Sequence, residues 1–514
     1  MNSMRVVIIG AGMGGLSAAL RLAAQGLHVT VVERAAQPGG KMRQLSPAGL
    51  AMDAGPTVFT MRHVFEALFD EAGALLNDHV RLTPLTILAR HAWAGGGRLD
   101  LHASVEASTD AIGDFAGAAE AKRFSAFAAE TRAVYTMLDR SFMRAPKPGM
   151  AGLARNLWQD GLRNPLDLLR MRPFETLWAA LSRSFNDPRL RQLFGRYATY
   201  CGSSPFQSPA TLMLIAHAEQ LGVWSVDGGM HALAKAIAAL AEAKGASFRY
   251  NTHVGAIRTS HGKVDGVVLS TGEVIPAGAV IFNGDYAALG EGLLGPAVMR
   301  AVPRARAKRR SLSAIVSCRA TRTDGFPLIR HNVFFSADYP AEFRDIFGQD
   351  RVPAEPTVYV CAQDRDDDGL PEPGQTERLL CLINAPANGD TQVYDDREIA
   401  QCEDRAARLM AACGLTLHPG ASETTSPSGF HALFPATGGG LYGQASHGWQ
   451  ASFRRPGART SVPGLYLAGG SVHPGPGVPM AALSGMTAAD SLLSDLTSQR
   501  PSRMAVTAGG MSTR

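Results

Sequence analysis

The chain lacks any uninterrupted run of the about 18 apolar residues that a bilayer-crossing helix requires, so it offers no transmembrane span. It also lacks paired cysteines. Cys201, Cys318, Cys361, Cys381, Cys402 and Cys413 are scattered without a CxxC pair, which argues against a zinc site or a disulfide framework and for reduced thiols in a cytoplasmic setting. No internal repeat occurs, and no Ser/His/Asp or metal-ligand constellation emerges from the spacing. Arg5 to Leu20 superficially resembles a secretory leader, but glycines interrupt it and no small-residue cleavage site follows before Arg21.

What is present suits a large globular protein: 514 residues, 46% apolar and 18% charged, enough for two or three domains or two interleaved ones. The most informative segment is Val6-Val7-Ile8-Ile9-Gly10-Ala11-Gly12-Met13-Gly14-Gly15, followed by a second apolar run, Val29 to Val32, and then Glu33. The order reads strand, glycine turn, helix, strand, carboxylate. Gly10 permits the turn, Gly12 lets the backbone approach a pyrophosphate, and Gly15 lets the helix pack on the strand. The helix N-terminus offers unpaired N–H groups to phosphates, and Glu33 is placed to accept from an adenosine ribose. The spacing therefore predicts dinucleotide binding.

Charge is unevenly distributed. Residues 141–200 hold ten Arg/Lys against four acids, a local +6 within a net +5, interleaved with Leu153, Leu157, Trp158, Leu162, Leu166, Leu168, Leu169, Phe174, Leu177, Trp178 and Leu181. That pattern reads either as an amphipathic face for anionic lipid or as a helical cap with solvated arginines. Nucleic acid is disfavoured, because no recognised module accompanies the basic stretch. The run Arg300, Arg304, Arg306, Lys308, Arg309, Arg310 before an expected strand at Leu312 to Val316 reads first as a solvated connector. The polar, glycine-rich tail 498–514 is expected to be disordered.

Further motifs decide between the dinucleotides. Pro38-Gly39-Gly40-Lys41 is a second turn close behind Glu33, followed by Asp53-Ala54-Gly55-Pro56-Thr57. Ser247 to Val254 reads as a strand, and Gly464 to Ser471 as a strand entering a glycine turn that leads to an expected helix at Met480–Leu492. Together with Trp224 to Met230, Phe282-Asn283-Gly284-Asp285 and Gly470-Ser471-Val472-His473-Pro474-Gly475-Pro476-Gly477-Val478-Pro479, these motifs resemble the flavoprotein amine oxidase and carotenoid desaturase superfamily over residues 4–495. Asp53 to Met61, Phe434-Pro435-Ala436-Thr437-Gly438-Gly439, His447-Gly448-Trp449 and Ala468 to Gly475 are similar to the 1-hydroxycarotenoid (hydroxyneurosporene) desaturase branch of purple bacteria. General phytoene desaturases usually carry Gly-Ala-Gly-Thr-His-Pro-Gly where this chain has Gly469-Gly470-Ser471-Val472-His473-Pro474-Gly475.

The resemblance implies an α/β fold with a discontinuous Rossmann-type FAD domain (about 1–75, 226–290 and 441–497). It implies an α+β substrate domain (76–225 and 291–440) with a helical, membrane-facing cap. It implies FAD, held by Gly10, Gly12, Gly14, Gly15, Glu33, Arg34, Gly40, Lys41, Gly55, Val254, Asn283, Gly470, Val478 and Met480, and no metal. It further implies oxidation of the C3–C4 bond of an acyclic 1-hydroxycarotenoid in a spheroidene-type pathway, with oxygen or a quinone left open as electron acceptor. The cofactor then carries the hard step, and the protein supplies placement and a dry tunnel.

His473 is the best single base candidate, although the Pro and Gly around it favour a turn-shaping role. Asp227 is expected to cap the helix beginning near Met230. His447 and Trp449 are candidates for the tunnel wall or for ordinary core positions. A forty-carbon substrate also bears on location. Exposing ten buried CH₂ groups to water would cost about 8 kcal/mol, so substrate is expected to come directly from lipid. That favours 141–200 as a monotopic face on the cytoplasmic side of the inner or intracytoplasmic membrane. Phytoene desaturation is the nearest alternative; an amine oxidase is further off, since the C-terminal turn has no Tyr or Trp between Leu467 and Leu492.

Overall fold

The computed structural model describes residues 4–147, 149, 152–153, 155–156, 172, 174–305, 307–365 and 374–498. One layer is a five-stranded parallel sheet that draws on three distant stretches of chain. Its order is Ser247–Arg249, His28–Val32, Arg5–Ile9, Ala279–Phe282, Leu465–Leu467. Arg5–Ile9 sits at the centre, with Val6 opposite both Val29 and Ala279. A parallel sheet is covered on both faces, which is why Val6, Val7 and Ile8 run on without a polar partner and are all buried. Met13–Ala24 packs against Val478–Ser498 and Met230–Ala243. A side chain at Gly485 would collide with the backbone of Gly14, so glycine sets how closely the first and last helices approach. Gly26, at φ +77°, ends the first helix by donating its N–H to the Ala23 carbonyl (2.8 Å).

The expected C-terminal helix is present and longer than its apolar pattern indicated, spanning Val478–Ser498. The expected strand at Ser247 to Val254 is cut short. Asn251, at φ +50°, turns the chain after Ser247–Arg249, and Val254–Ser260 begins a separate antiparallel sheet with Lys263–Leu269 and Val274–Pro276. The cap of Met230–Ala243 is also a correction. Gly229 occupies the cap position without a side chain to offer, and the carboxylate of Asp53, not Asp227, accepts from the N–H groups of Met230 (2.5 Å) and His231 (3.2 Å).

The second layer is a seven-stranded sheet in the order Ala421–Thr425, Ser313–Thr321, Glu377–Ala385, Val358–Ala362, His331–Phe335, Ile87–Trp93, Arg98–His102. Only His331–Phe335 with Ile87–Trp93 pairs in parallel. Beside it lies a helical group that includes Val105–Ala116, Ala118–Leu138, Leu177–Ser184 and Pro188–Gly195. An aromatic stack holds this group together: Phe185 lies 5.0 Å from Phe194, which lies 4.9 Å from Phe127. Of the expected disordered tail, 499–514 lies outside the described residues.

Candidate functional site

The site begins where the first strand meets the first helix. Gly10 adopts φ +97°, a conformation that L side chains rarely take, and its N–H donates to the Val32 carbonyl (2.8 Å). A side chain at Gly15 would strike the Gly10 carbonyl, so this glycine serves helix–strand packing. Gly12 opens the helix, and a Cβ there would lie 3.0 Å from Asn283 Nδ2. A Cβ on Gly40 would lie 3.1 Å from the Gly12 Cα, so the two glycine turns face one another with no room for side chains. Asn283 ties the arrangement together by donating Nδ2–H to the Gly10 carbonyl (3.2 Å). Glu33, only 8% exposed, accepts from the backbone N–H groups of Ala11 (2.7 Å) and Ala35 (2.8 Å). The result is a backbone-lined cleft with a helix N-terminus at one side and a fixed carboxylate at its end.

The other end of the cleft is built by the C-terminal turn. Arg455 is buried and donates to the carbonyls of Gln444 (2.7 Å), Tyr442 (3.1 Å) and Gly470 (3.4 Å), stitching residues 442–444 to that turn. Lys41 donates to the Leu441 carbonyl (2.5 Å) and lies over the Phe434 ring, 5.4 Å from its centroid. Burial lowers the Lys41 pKa, and the nearby Asp285 carboxylate opposes that shift.

One cavity of about 1460 Å³ joins these parts. Of the fourteen residues expected to hold FAD, it is lined by all but Gly15. It continues past the cleft between Leu138, Phe142, Ile215, Val316 and Leu382, into the space under the seven-stranded sheet. Trp449 lines it and meets Phe174, which is 78% exposed, edge-on at 5.4 Å. His447 does not line it: its Nε2 accepts from the Ser204 N–H (2.9 Å), and burial pushes its pKa down to about 4. His473 does not line it either. Its Nε2–H donates to the Ala145 carbonyl (3.0 Å), its ring stands edge-on to Phe142 at 4.9 Å, and burial pushes its pKa down to about 4. In that position it pins the C-terminal turn to residues 142–145.

Sequence reasoning missed two polar groups on the cavity wall. Thr57 Oγ1 and Tyr359 Oη are 2.7 Å apart, and Tyr359 Oη is 2.8 Å from His331 Nδ1. Beyond them, Arg196, Tyr200 and Glu219 line the cavity, with Tyr197 Oη donating to Glu219 Oε2 (2.5 Å). No local motif signals either group, since each joins residues from elements distant in sequence. Arg196 had been counted among the cations of a surface stretch, yet it is buried. Several other described cations of 141–200 are engaged: Arg144 with Asp139 (3.1 Å), Arg172 with Glu130 (3.2 Å), Arg189 with Asp187 (2.7 Å) and Arg183 with Glu175. Arg163 and Arg170, with Leu157, Trp158, Leu162, Leu166, Leu168 and Leu169, lie outside the described residues. Among the described residues, no group of three His/Cys/Asp/Glu is placed to hold a metal ion, and no helix is long and apolar enough to cross a membrane.

Residues 13–493 match the model of the flavin containing amine oxidoreductases. The chain belongs to that family. Among curated proteins it is 52% identical to the hydroxyneurosporene desaturase of Rubrivivax gelatinosus, over 100% of this chain and 98% of that one. It is 45% identical to the hydroxyneurosporene desaturase of Cereibacter sphaeroides, over 96% and 98%. Among solved structures, an oxidoreductase from Methanosarcina mazei superposes with a TM-score of 0.58 at 18% identity, covering 96% of this chain and 100% of that one. A redesigned putrescine oxidase superposes at 0.59 with 15% identity, covering 96% and 99%. The chain therefore has the flavin amine oxidase-like fold, and its cofactor is FAD. The residues present fit that group: the facing turns at Gly12 and Gly40 leave a cradle that any Cβ would fill, and Glu33 stands at its end.

Proposed function

We propose that this protein is an FAD-dependent desaturase that introduces the C3–C4 double bond into acyclic 1-hydroxycarotenoids. The observation that carries this reading is one cavity that opens from a backbone-lined dinucleotide cleft into a largely apolar chamber. The 52% identity over the whole chain with a hydroxyneurosporene desaturase supports that substrate class.

FAD, when bound, supplies the hydride acceptor for a saturated C–C unit that gives acid–base or nucleophilic catalysis little to grip. In this reading the turns at Gly10, Gly12, Gly40, Gly55 and Gly470 hold it through backbone, with Gly14 and Gly15 setting the helix packing beneath. Glu33, Arg34, Val254, Asn283, Lys41, Val478 and Met480 would complete the wall of the cleft that holds it. Leu138, Ile215, Val316 and Leu382 exclude water from the reacting carbons. The proton lost from the neighbouring carbon needs at most a weak base. His473 serves placement in this scheme, because its bonded nitrogen faces Ala145 rather than the chamber.

Exposed Phe174, beside the cavity-lining Trp449 and within the basic stretch 141–200, marks where the substrate would enter from lipid in this reading. The three stretches about 1–75, 226–290 and 441–497 form the FAD domain, and the intervening pieces the substrate domain. Expression in cells that accumulate either phytoene or 1-hydroxyneurosporene tests the assignment. A red-shifted pigment is expected only from the hydroxylated substrate; efficient conversion of phytoene would assign the chain to the phytoene-desaturase type instead.

A further inference from the structure

Arg196, Tyr197, Tyr200 and Glu219 form a polar knot in a wall that is otherwise mostly apolar. Arg196–Cys201 is a short 3-10 helix, and Glu219 comes from the facing helix Leu214–Gln220. Arg196 is 7% exposed and Glu219 5%, so both charges are withdrawn from bulk water. The guanidinium stacks near the Tyr200 ring, 4.9 Å from its centroid, and lies 5.7 Å from that of Tyr197. Burial raises the Glu219 pKa, and the Arg196 charge opposes this; burial alone would lower the Arg196 pKa, but Tyr200 and Glu219 hold it above its ordinary value. Arg196 and Glu219 thus share one buried polar cluster, bridged on its inner side by Tyr197 Oη, which donates to Glu219 Oε2 (2.5 Å).

The knot is not closed on itself. Arg196 Nε is buried without a hydrogen-bond partner, and Arg196, Tyr200 and Glu219 all face the cavity. A buried donor without a partner is costly, as is a buried charge pair that serves packing alone. Both costs fall if the cavity's occupant brings a group that accepts from one side and donates to the other. A hydroxyl does this; a hydrocarbon does not.

The location agrees with that chemistry. The 3-10 helix ends at Gly202, whose carbonyl accepts from the Leu312 N–H (2.9 Å), and Ser311 Oγ accepts from the Tyr442 N–H (2.9 Å). Tyr442 is joined through Arg455 to Gly470 of the C-terminal turn. A side chain at Gly202 would press on Tyr442, so the knot's helix is seated directly against the segment bound to that turn. In a 1-hydroxycarotenoid the hydroxyl and the bond to be oxidised are neighbours along the chain, so a hydroxyl-binding group belongs at the flavin end of the chamber.

The geometry points to Arg196, Tyr200 and Glu219 as the site that binds the terminal hydroxyl of the substrate and sets the selectivity for hydroxylated over plain acyclic carotenoids. This rests on the desaturase reading above. The hydroxyl donates to the Glu219 carboxylate and accepts from Arg196 or Tyr200. An analogue lacking it leaves the knot's remaining buried donor and acceptor capacity without a partner, which rejects it by up to ~10⁴-fold.

The test compares 1-hydroxyneurosporene with neurosporene, in vesicles, for the wild-type holoenzyme, Glu219→Gln and the charge-free pair Arg196→Met with Glu219→Met. The pair guards against an unpaired buried charge that would unfold a single variant, and flavin absorbance establishes that each variant is loaded. In loaded variants, the ratio of kcat/KM for the hydroxylated over the plain substrate is expected to fall by ~10²-fold or more. Loaded variants that keep the wild-type ratio, or lose both activities in proportion, would overturn the assignment. Wild-type enzyme that oxidises neither carotenoid would instead overturn the desaturase reading on which it stands.

Discussion

The five-stranded parallel sheet presents its contacts through backbone, whereas the seven-stranded sheet and the helices beside it present theirs through side chains. At Gly10, Gly12 and Gly40 the useful feature is the absence of a Cβ, which leaves a cleft shaped by main chain. In the chamber the useful features are Tyr359, Arg196, Glu219 and the aliphatic wall, each delivered by a different element. The first arrangement suits a cofactor common to a whole family; the second can be altered residue by residue to select a substrate.

The strongest way to break the contrast is to put a side chain into the cradle. Gly12→Val would thrust its methyls at Asn283 and into the cleft, so the purified variant is expected to be folded by circular dichroism but without a flavin spectrum. Leu382→Ala, in the chamber wall, should keep its flavin and lose turnover. Normal flavin content in Gly12→Val would remove the assignment of the cleft.

The contrast also explains what could be read from the chain. The glycine spacing, Glu33 and the C-terminal turn were legible because a parallel strand-turn-helix unit is written in consecutive residues. The Asp53 cap was not, because it joins residues 177 positions apart in sequence, and Asp227 offered a nearer and mistaken choice. The Arg196 knot was hidden for the same reason: a cation surrounded by surface cations in sequence is turned inward by packing against Leu214–Gln220. Replacing Asp53 by Ala should lower stability by about 1–2 kcal/mol through the two freed N–H groups, whereas Asp227→Ala should change it little. Thermal melts of the two variants check this, and a larger loss in Asp227→Ala would restore the expectation drawn from sequence.

Acid should strain both parts of the fold. Burial lowers the pKa of His331 to about 3 and that of His447 to about 4, and holds His91 well below its ordinary 6.5. The unfolded chain takes up protons at these groups from pH 6.5 downward while the fold does not, so stability is lost as pH falls toward 4. Glu342, raised by burial to about 7, acts in the opposite sense between pH 7 and 4.5, as do Asp53, Glu219 and Asp285, whose carboxyls burial also raises, against the lowered histidines His91, His231, His331, His447 and His473. Tm is therefore expected to fall between pH 6.5 and 5, and a Tm that rises over this interval would contradict the account. The smallest effect on the folded enzyme is expected from Arg163, Arg170 and Arg172 changed to Glu. Flavin content should hold and melting fall only slightly, through the lost Arg172–Glu130 pair, while flotation with anionic vesicles weakens; undiminished flotation would move the lipid face elsewhere.

In this reading a backbone-held flavin oxidises a hydroxylated polyene lodged in the chamber. The direct measurement is anaerobic mixing of the purified holoenzyme with 1-hydroxyneurosporene, neurosporene or benzylamine, following flavin absorbance and pigment spectrum together. Bleaching of the flavin with a matching red shift of the pigment is expected with 1-hydroxyneurosporene, and neither change with benzylamine. Bleaching by benzylamine, or equal bleaching by neurosporene and its hydroxylated form, would contradict it.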